Sequence, residues 1–433
     1  MRRVSAALSL GLAASSLALL GGCSAPGPAH YVSNPIGELP LGSFGRAWLA
    51  DLPVASGDEL SRMVVDGDTL YVFSKNAGVV SINRTAGTIN FLAHINSPSP
   101  RLLNPVALAD RLVFPTAVSL EVYDKTGHFL RSVLLHVPLR SGAAGVGDVI
   151  YFGADDPDGG RLVAEDLSRS FSTVRWELLT PGGSITGAPA VFAGNIYVGT
   201  EAGTVYAVNS DRASVWNTDK SIFTVGDRIV ADLKTDAPGT KADDANLYIA
   251  CMDTKLYAVS ALTGKLHWQY YAGVPLSSPP VICADMVYQE IPGEGVAAID
   301  KTDPRFNRLP RWTYHPATRF LSQDDTYAYL LEPRTVDAGK KFPFGRKTRM
   351  INVIVAVDKK TGRLAFESNH TDFAIFGTNN TDSLIYAGYS PGEVLAIKPV
   401  LKAGQVGEMV MAKPGAEPTV VLADAASGKN SIR

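Results

Sequence analysis

Few side chains in this 433-residue chain stand at spacings that could do chemistry. The carboxylates of Asp155-Asp156-Pro157-Asp158-Gly159-Gly160 are oxygen ligands of the kind Ca²⁺ takes. They lack the spacing of a helix-flanked calcium loop, however, and they fall where a hairpin must turn. Glu290 and Glu294, in the stretch Glu-Ile-Pro-Gly-Glu-Gly, are better explained by a hairpin loop than as an acid/base pair. The seven histidines (His30, His94, His128, His136, His267, His315, His370) are scattered, with no pair four apart and no Cys/His cluster of zinc spacing. There is no Gly-x-Ser-x-Gly nucleophile elbow and no phosphate-cradling glycine loop.

Cys23 is the exception. Arg2 and Arg3 precede an uncharged Ala/Leu-rich run, Val4 to Leu20, and Leu20-Gly21-Gly22-Cys23 resembles the lipobox of bacterial lipoproteins. Cleavage there would make Cys23 the acylated N-terminus, and acyl chains hold a protein on a membrane at about 0.8 kcal/mol per buried CH₂. Ser24, rather than Asp, resembles outer-membrane sorting. An ordinary secretory peptide or a short membrane anchor is the alternative. The other two cysteines, Cys251 and Cys283, end strands that point to opposite faces, so both thiols are expected to be free even in an oxidising compartment.

The elements that would position any site come from a repeat. Asn246 to Trp268, NLYIACMDTKLYAVSALTGKLHW, reads as short β-type runs separated by polar turns. Related copies begin near Asp68, Arg111, Val149, Asn195, Met286, Thr326 and Ser383, making eight in all at roughly 45 residues each, the period of a four-stranded propeller blade. A small residue recurs in the third strand (Ser81, Ala164, Ala207, Ala258, Ala298, Ala356, Ala396), where neighbouring blades are expected to pack closely. An aromatic follows it: Phe91, Trp176, Trp216, Trp268, Trp312 or Phe366. The last copy lacks its outer strand, and Arg46-Ala47-Trp48-Leu49 supplies the missing piece. The expected fold is therefore all-β: an eight-bladed β-propeller of four-stranded antiparallel blades, closed by the N-terminal strand.

Leu-Tyr-Ala-Val-x-x-x-Thr-Gly-Lys-x-x-Trp at Leu256 to Trp268 resembles the tryptophan-docking repeat of pyrroloquinoline-quinone (PQQ) type propellers. Asp358 to Arg363 and Asp124 to Gly127 resemble it more weakly. That superfamily includes quinoprotein dehydrogenases and non-enzymatic scaffolds. The resemblance to the enzymes would imply a vicinal disulfide over PQQ, a Glu/Asn/Asp calcium cluster and a catalytic aspartate. The chain has no Cys-Cys pair, and the calcium ligands find no counterpart, so no cofactor, metal or catalytic residue is expected.

The organisation expected is a lipoprotein signal peptide (1–22), a Pro/Gly/Ser tether (23–45), the propeller (46–400) and a largely disordered tail (401–433). Loss of Arg2 and Arg3 leaves 38 basic against 42 acidic residues, which gives no support for nucleic-acid binding. Three connections exceed the usual hairpin: Asp232 to Ala245, Asp303 to Arg311 with Arg305, Arg308 and Arg311, and Glu332 to Met350. The last is the candidate partner-binding loop, with Arg334, Lys340, Lys341, Arg346, Lys347 and Arg349 around Phe342 and Phe344, suited to an acidic protein surface or lipid headgroups. The combination resembles the propeller lipoproteins of outer-membrane β-barrel assembly. It implies a non-enzymatic scaffold, lipid-anchored in the bacterial envelope, on the outer membrane facing the periplasm, and binding envelope proteins through its loops. A divergent PQQ-dependent oxidoreductase and a glycan- or peptide-binding propeller are the alternatives.

Overall fold

The structure, a computed structural model, describes residues 44–96, 101–216, 221–342, 345–368, 373–389 and 392–399, and the side chains of all of these except 337–347. The signal segment, Cys23, the tether up to residue 43 and the tail from residue 401 lie outside them.

Eight sheets form, each built on four antiparallel strands, here lettered A to D outward from the central axis. Blade 1 comprises Leu60–Asp66, Thr69–Ser74, Gly78–Asn83 and Ile89–His94. Blades 2 to 7 follow in chain order, beginning at Val106, Leu139, Ala190, Lys234, Val281 and Arg319. Strand A of one blade touches strand A of the next from blade 2 to blade 6 and between blades 8 and 1. Blade 8 has only three strands of its own, Ile375–Gly377, Ile385–Gly388 and Glu393–Pro399, and its D strand is Phe44–Asp51 from the start of the chain. The pairing sets Trp48 opposite Ala396 and buries both. Without it a blade edge would lie open as a template for other chains.

The repeat has a direct physical reading. A tyrosine of strand B, a small residue of strand C and an aromatic of strand D face one another across the sheet: Tyr151–Ala164–Trp176, Tyr248–Ala258–Trp268, Tyr288–Ala298–Trp312 and Tyr386–Ala396–Trp48. The small residue thus serves its own blade rather than the gap between blades, since only a short side chain lets the two rings meet over it. Ring centroids are 5.6 Å apart for Tyr151 and Trp176, and 6.0 Å for Tyr288 and Trp312. Such pairs add about 1 kcal/mol beyond their buried area.

The aromatic also fastens the next blade. The indole N–H of Trp48 donates to the Arg84 carbonyl (2.8 Å), Trp176 to Ser210 (2.8 Å), Trp216 to Ala261 (2.9 Å) and Trp312 to Lys359 (2.9 Å). Each acceptor lies in the C–D turn of the following blade. The turn glycine lies flat beneath the ring: a Cβ on Gly87 would stand 2.5 Å from Trp48, and one on Gly362 would stand 2.3 Å from Trp312. Both glycines have positive φ, so turn geometry and close approach demand the same residue. Blade 2 departs from the pattern. Val113, Val122 and Arg131 take the three positions, and Arg131 replaces the indole by donating a guanidinium N–H to the Leu167 carbonyl.

Candidate interaction surface

Strands alternate in direction, so B–C turns and the connections between blades share one face of the disc, while A–B and C–D turns share the other. The three long connections are divided between these faces. Glu332 to Met350 lies on the first, and the other two lie on the second.

The Glu332–Met350 segment is not a loop. Strand B of blade 7 runs Tyr327–Phe342 and strand C Gly345–Asp358, so the pair continues past the disc as a two-stranded ribbon. At about 3.3 Å per residue, the ribbon projects roughly 30 Å. Pairing continues through Glu332↔Val353, Arg334↔Ile351 and Val336↔Arg349 to Lys341↔Arg346 and Phe342↔Gly345, with one register shift between Asp337 and Lys341. Lys340 and Lys347 are strand residues as well, while Phe344 lies outside the described residues.

At the base of the ribbon, Arg334 departs from the expectation of a basic side chain held out for a partner. Arg334 Nε donates to Glu332 (2.5 Å), and its guanidinium forks onto Glu367 (3.0 and 2.7 Å). Glu367 and then Glu332 therefore hold its proton above the ordinary arginine range, against burial. Tyr314 donates to the same buried Glu332. Arg334 is thus the brace of the ribbon rather than a free contact. Thr348, Arg349 and Met350 are exposed, Met350 at 67%.

The other two connections are satisfied by their own surroundings at the junction of blades 5 and 6. Asp236, buried, accepts Lys301 Nζ at 2.5 Å, the Tyr248 hydroxyl at 3.1 Å and the Asn246 amide at 2.9 Å. Asn307–Arg308 adds a fifth, parallel strand to blade 5, and the Arg308 guanidinium stacks on Trp268 at 4.2 Å. Arg305 pairs with Asp303 and Arg311 with Asp300. These arginines, expected in a loop, are internal fasteners.

Sequence reasoning missed the apolar rim. On the outermost strands of blades 1 to 3, Leu92, Phe129, Leu130, Leu134 and Leu179 are each more than half exposed. The signal was present in Phe129-Leu130, which breaks the alternation that a half-buried strand should show.

The carboxylate candidates behave as turns. Asp156 pairs with Gly159 across a hairpin and binds Arg161, and Glu290 and Glu294 flank the end of another hairpin. Burial raises the Glu290 pKa, and the charge of Arg319 opposes the rise. No group of three or more His, Cys, Asp or Glu among the described residues is placed to hold a metal ion. Cys251 and Cys283 are free, and burial pushes both thiols up to about 12.

PQQ is a tricarboxylate, so a propeller channel that held it would need cations to spare. Strand A supplies four among the described residues: Arg62, Arg140, Lys234 and Arg319. Arg62 is committed to Asn104 and to the Leu102 and Leu103 carbonyls, and it lies over the Phe73 ring. Arg140 faces Asp155 at 3.8 Å, Lys234 faces Asp232 at 3.8 Å, and Arg319 acts on Glu290. Arg62, Arg140 and Lys234 thus already have partners at contact distance, and burying a carboxylate without a cation costs several kcal/mol. The strand-A cations among the described residues do not fit PQQ.

Comparison with known proteins agrees with this architecture. A family model described as "Outer membrane protein assembly factor BamB" matches residues 230–369, from blade 5 through blade 7. No curated protein matches the chain. Among solved structures, BamB from Moraxella catarrhalis aligns at 16% identity with a TM-score of 0.55, covering 82% of this chain and 99% of that one. The computationally designed Ika8 protein aligns at 12% identity, also with a TM-score of 0.55, covering 81% and 99%. The chain is thus an eight-bladed PQQ-like β-propeller that resembles BamB.

Proposed function

We propose that this protein is a non-enzymatic scaffold of the bacterial envelope, anchored through a lipid on Cys23 to the outer membrane and working in the assembly of outer-membrane β-barrel proteins. The observation that carries the reading is the match of residues 230–369 to a model described as an outer-membrane protein assembly factor, because that span includes the whole blade 7 ribbon. The ribbon is the proposed contact. Its register sets Lys341 opposite Arg346, and like charges on directly opposed positions disfavour a strand pair. An acidic partner surface would relieve that cost. Lys340, Lys347 and Arg349 add to the same basic stretch.

Affinity capture of the full-length, membrane-anchored protein from envelope extract tests this reading. Proteins that assemble outer-membrane β-barrels should co-purify, and charge reversal at Lys340, Lys341, Arg346 and Lys347 together should remove them. Cys23→Ser should release the protein into the periplasm. Capture of a redox partner instead, with saturable binding of PQQ and Ca²⁺ in calorimetry and dye-linked alcohol oxidation, would replace the scaffold with a quinoprotein.

A further inference from the structure

In the seven blades whose strand B carries this tyrosine, the hydroxyl needs a hydrogen-bond partner near the junction with the next blade. In blade 4, Tyr197 donates to the Ala261 carbonyl of the next blade (2.9 Å), and in blade 8, Tyr386 donates to that of Arg84 (3.3 Å). Tyr248, Tyr288 and Tyr329 in blades 5 to 7 reach Asp236 (3.1 Å), Gln323 (2.7 Å) and Asp324 (2.5 Å). Tyr151 of blade 3 breaks the series. Its side chain is fully buried, yet its hydroxyl has no hydrogen-bond partner. Such a group costs about 1–3 kcal/mol, so its persistence needs an explanation.

The neighbouring junctions show what is absent. The C–D turn residue whose carbonyl receives the indole also points its side chain back at the A–B turn of the preceding blade. Lys359 thereby reaches Asp285 at 2.8 Å, and Arg84 reaches Asp382. Lys301, at the same place in blade 6, reaches Asp236. At the junction of blades 3 and 4 this residue is Ser210. It still accepts the Trp176 indole, but it is too short to carry a charge across. A cavity of about 400 Å³ remains, lined by Tyr151, Asp148, Asp166, Ser168, Arg175 and Ser210 among others. Asp148 faces Arg111 at 3.3 Å, and Asp166 accepts the Ser168 amide at 2.8 Å. Arg175 faces Asp211 at 3.4 Å. Arg175 and then Arg169 also act on Asp166, and Arg111 is shared with Asp110, so Asp148 and Asp166 are the carboxylates that line the cavity itself.

We propose that this cavity binds a primary ammonium group, which occupies the place that Lys301 and Lys359 fill elsewhere in the ring. An ammonium has three donors and no acceptor, so it can donate to Tyr151 Oη and to the Asp148 and Asp166 carboxylates together. The volume accommodates a whole lysine side chain or one arm of a small diamine. Asymmetry among the repeats selects this junction: at the next one, where Ala261 replaces the basic residue, Tyr197 is satisfied by the backbone and the A–B turn Ala193-Gly194 has no acid.

Titration of the full-length protein with cadaverine, and separately with a short neutral peptide carrying one lysine, tests the site by calorimetry and by thermal shift. One or both probes should bind saturably at one equivalent and raise Tm. Cadaverine alone would indicate a diamine ligand, and the peptide alone a lysine of a partner protein. Ser210→Lys should raise Tm without ligand and weaken probe binding at least tenfold, because it fills the site from within. Tyr151→Phe, which removes only the orphan hydroxyl, should leave the unliganded protein as stable as the parent or more so, and weaken binding several-fold. Failure of both probes to bind, or binding unaltered by both substitutions, would overturn the proposal.

Discussion

A methyl group on Gly362 would stand 2.3 Å from Trp312 Cβ, on backbone whose φ of 71° already disfavours any side chain. Gly362→Ala should therefore lower stability by roughly 2–4 kcal/mol, through backbone strain and displacement of the ring, as read by urea unfolding. Lys359 and Asp285 make a gentler test at the same junction. Burial works to raise the Asp285 pKa, but bonds from Lys359 and Gln323 outweigh it and leave the carboxyl below its ordinary value. A depressed folded-state pKa contributes stability that is present above the unfolded value, near 3.8, and is lost as pH falls through the folded value. Asp285→Asn should cost about 1 kcal/mol at pH 7, kept small by the half-exposed carboxylate. The gap between variant and parent should close as pH falls below the ordinary aspartate range. The docking aromatics were legible in the sequence because large rings recur at blade period. Their tyrosine partners and Arg131 were not, because those roles depend on cross-strand register, which composition does not report.

At the scale of elements, the blade 7 ribbon departs most from the sequence reading. Glu332 to Met350 contains Pro333, Gly339, Pro343 and Gly345, which are turn signals. A strand pair that leaves the disc has no core to face, so it lacks the alternation that identifies half-buried strands. Its order comes from its base, where Arg334 holds Glu332 and Glu367. Arg334→Ala would leave the buried Glu332 without a cation and should cost about 2 kcal/mol. Limited trypsin digestion should then cut within the ribbon several-fold faster, while the remaining blades keep their resistance. Equal cleavage of variant and parent would show that the brace is dispensable. The 303–311 connection teaches the converse. Its arginines looked free because their partners Asp300, Asp303 and Trp268 belong to turns and to a neighbouring blade.

For the whole molecule, closure of the ring was readable from one observation, an eighth copy lacking its aromatic and a spare tryptophan near the other end of the chain. The structure moves the boundary slightly, since Phe44 is already buried against Tyr329 and Phe366. Deleting residues 24–43 should leave Tm unchanged, whereas deleting 24–51 should open blade 8, lower Tm sharply and promote aggregation. Identical melting of the two truncations would contradict the closure. The proposed role puts the partner on the ribbon side of the disc. A photo-crosslinking amino acid at Met350, exposed at the foot of the ribbon, should capture a protein of outer-membrane β-barrel assembly in living cells. The same group at Leu262, exposed on the opposite face, should not. Capture of such a protein from Leu262 but never from Met350, or from neither position, would contradict the account.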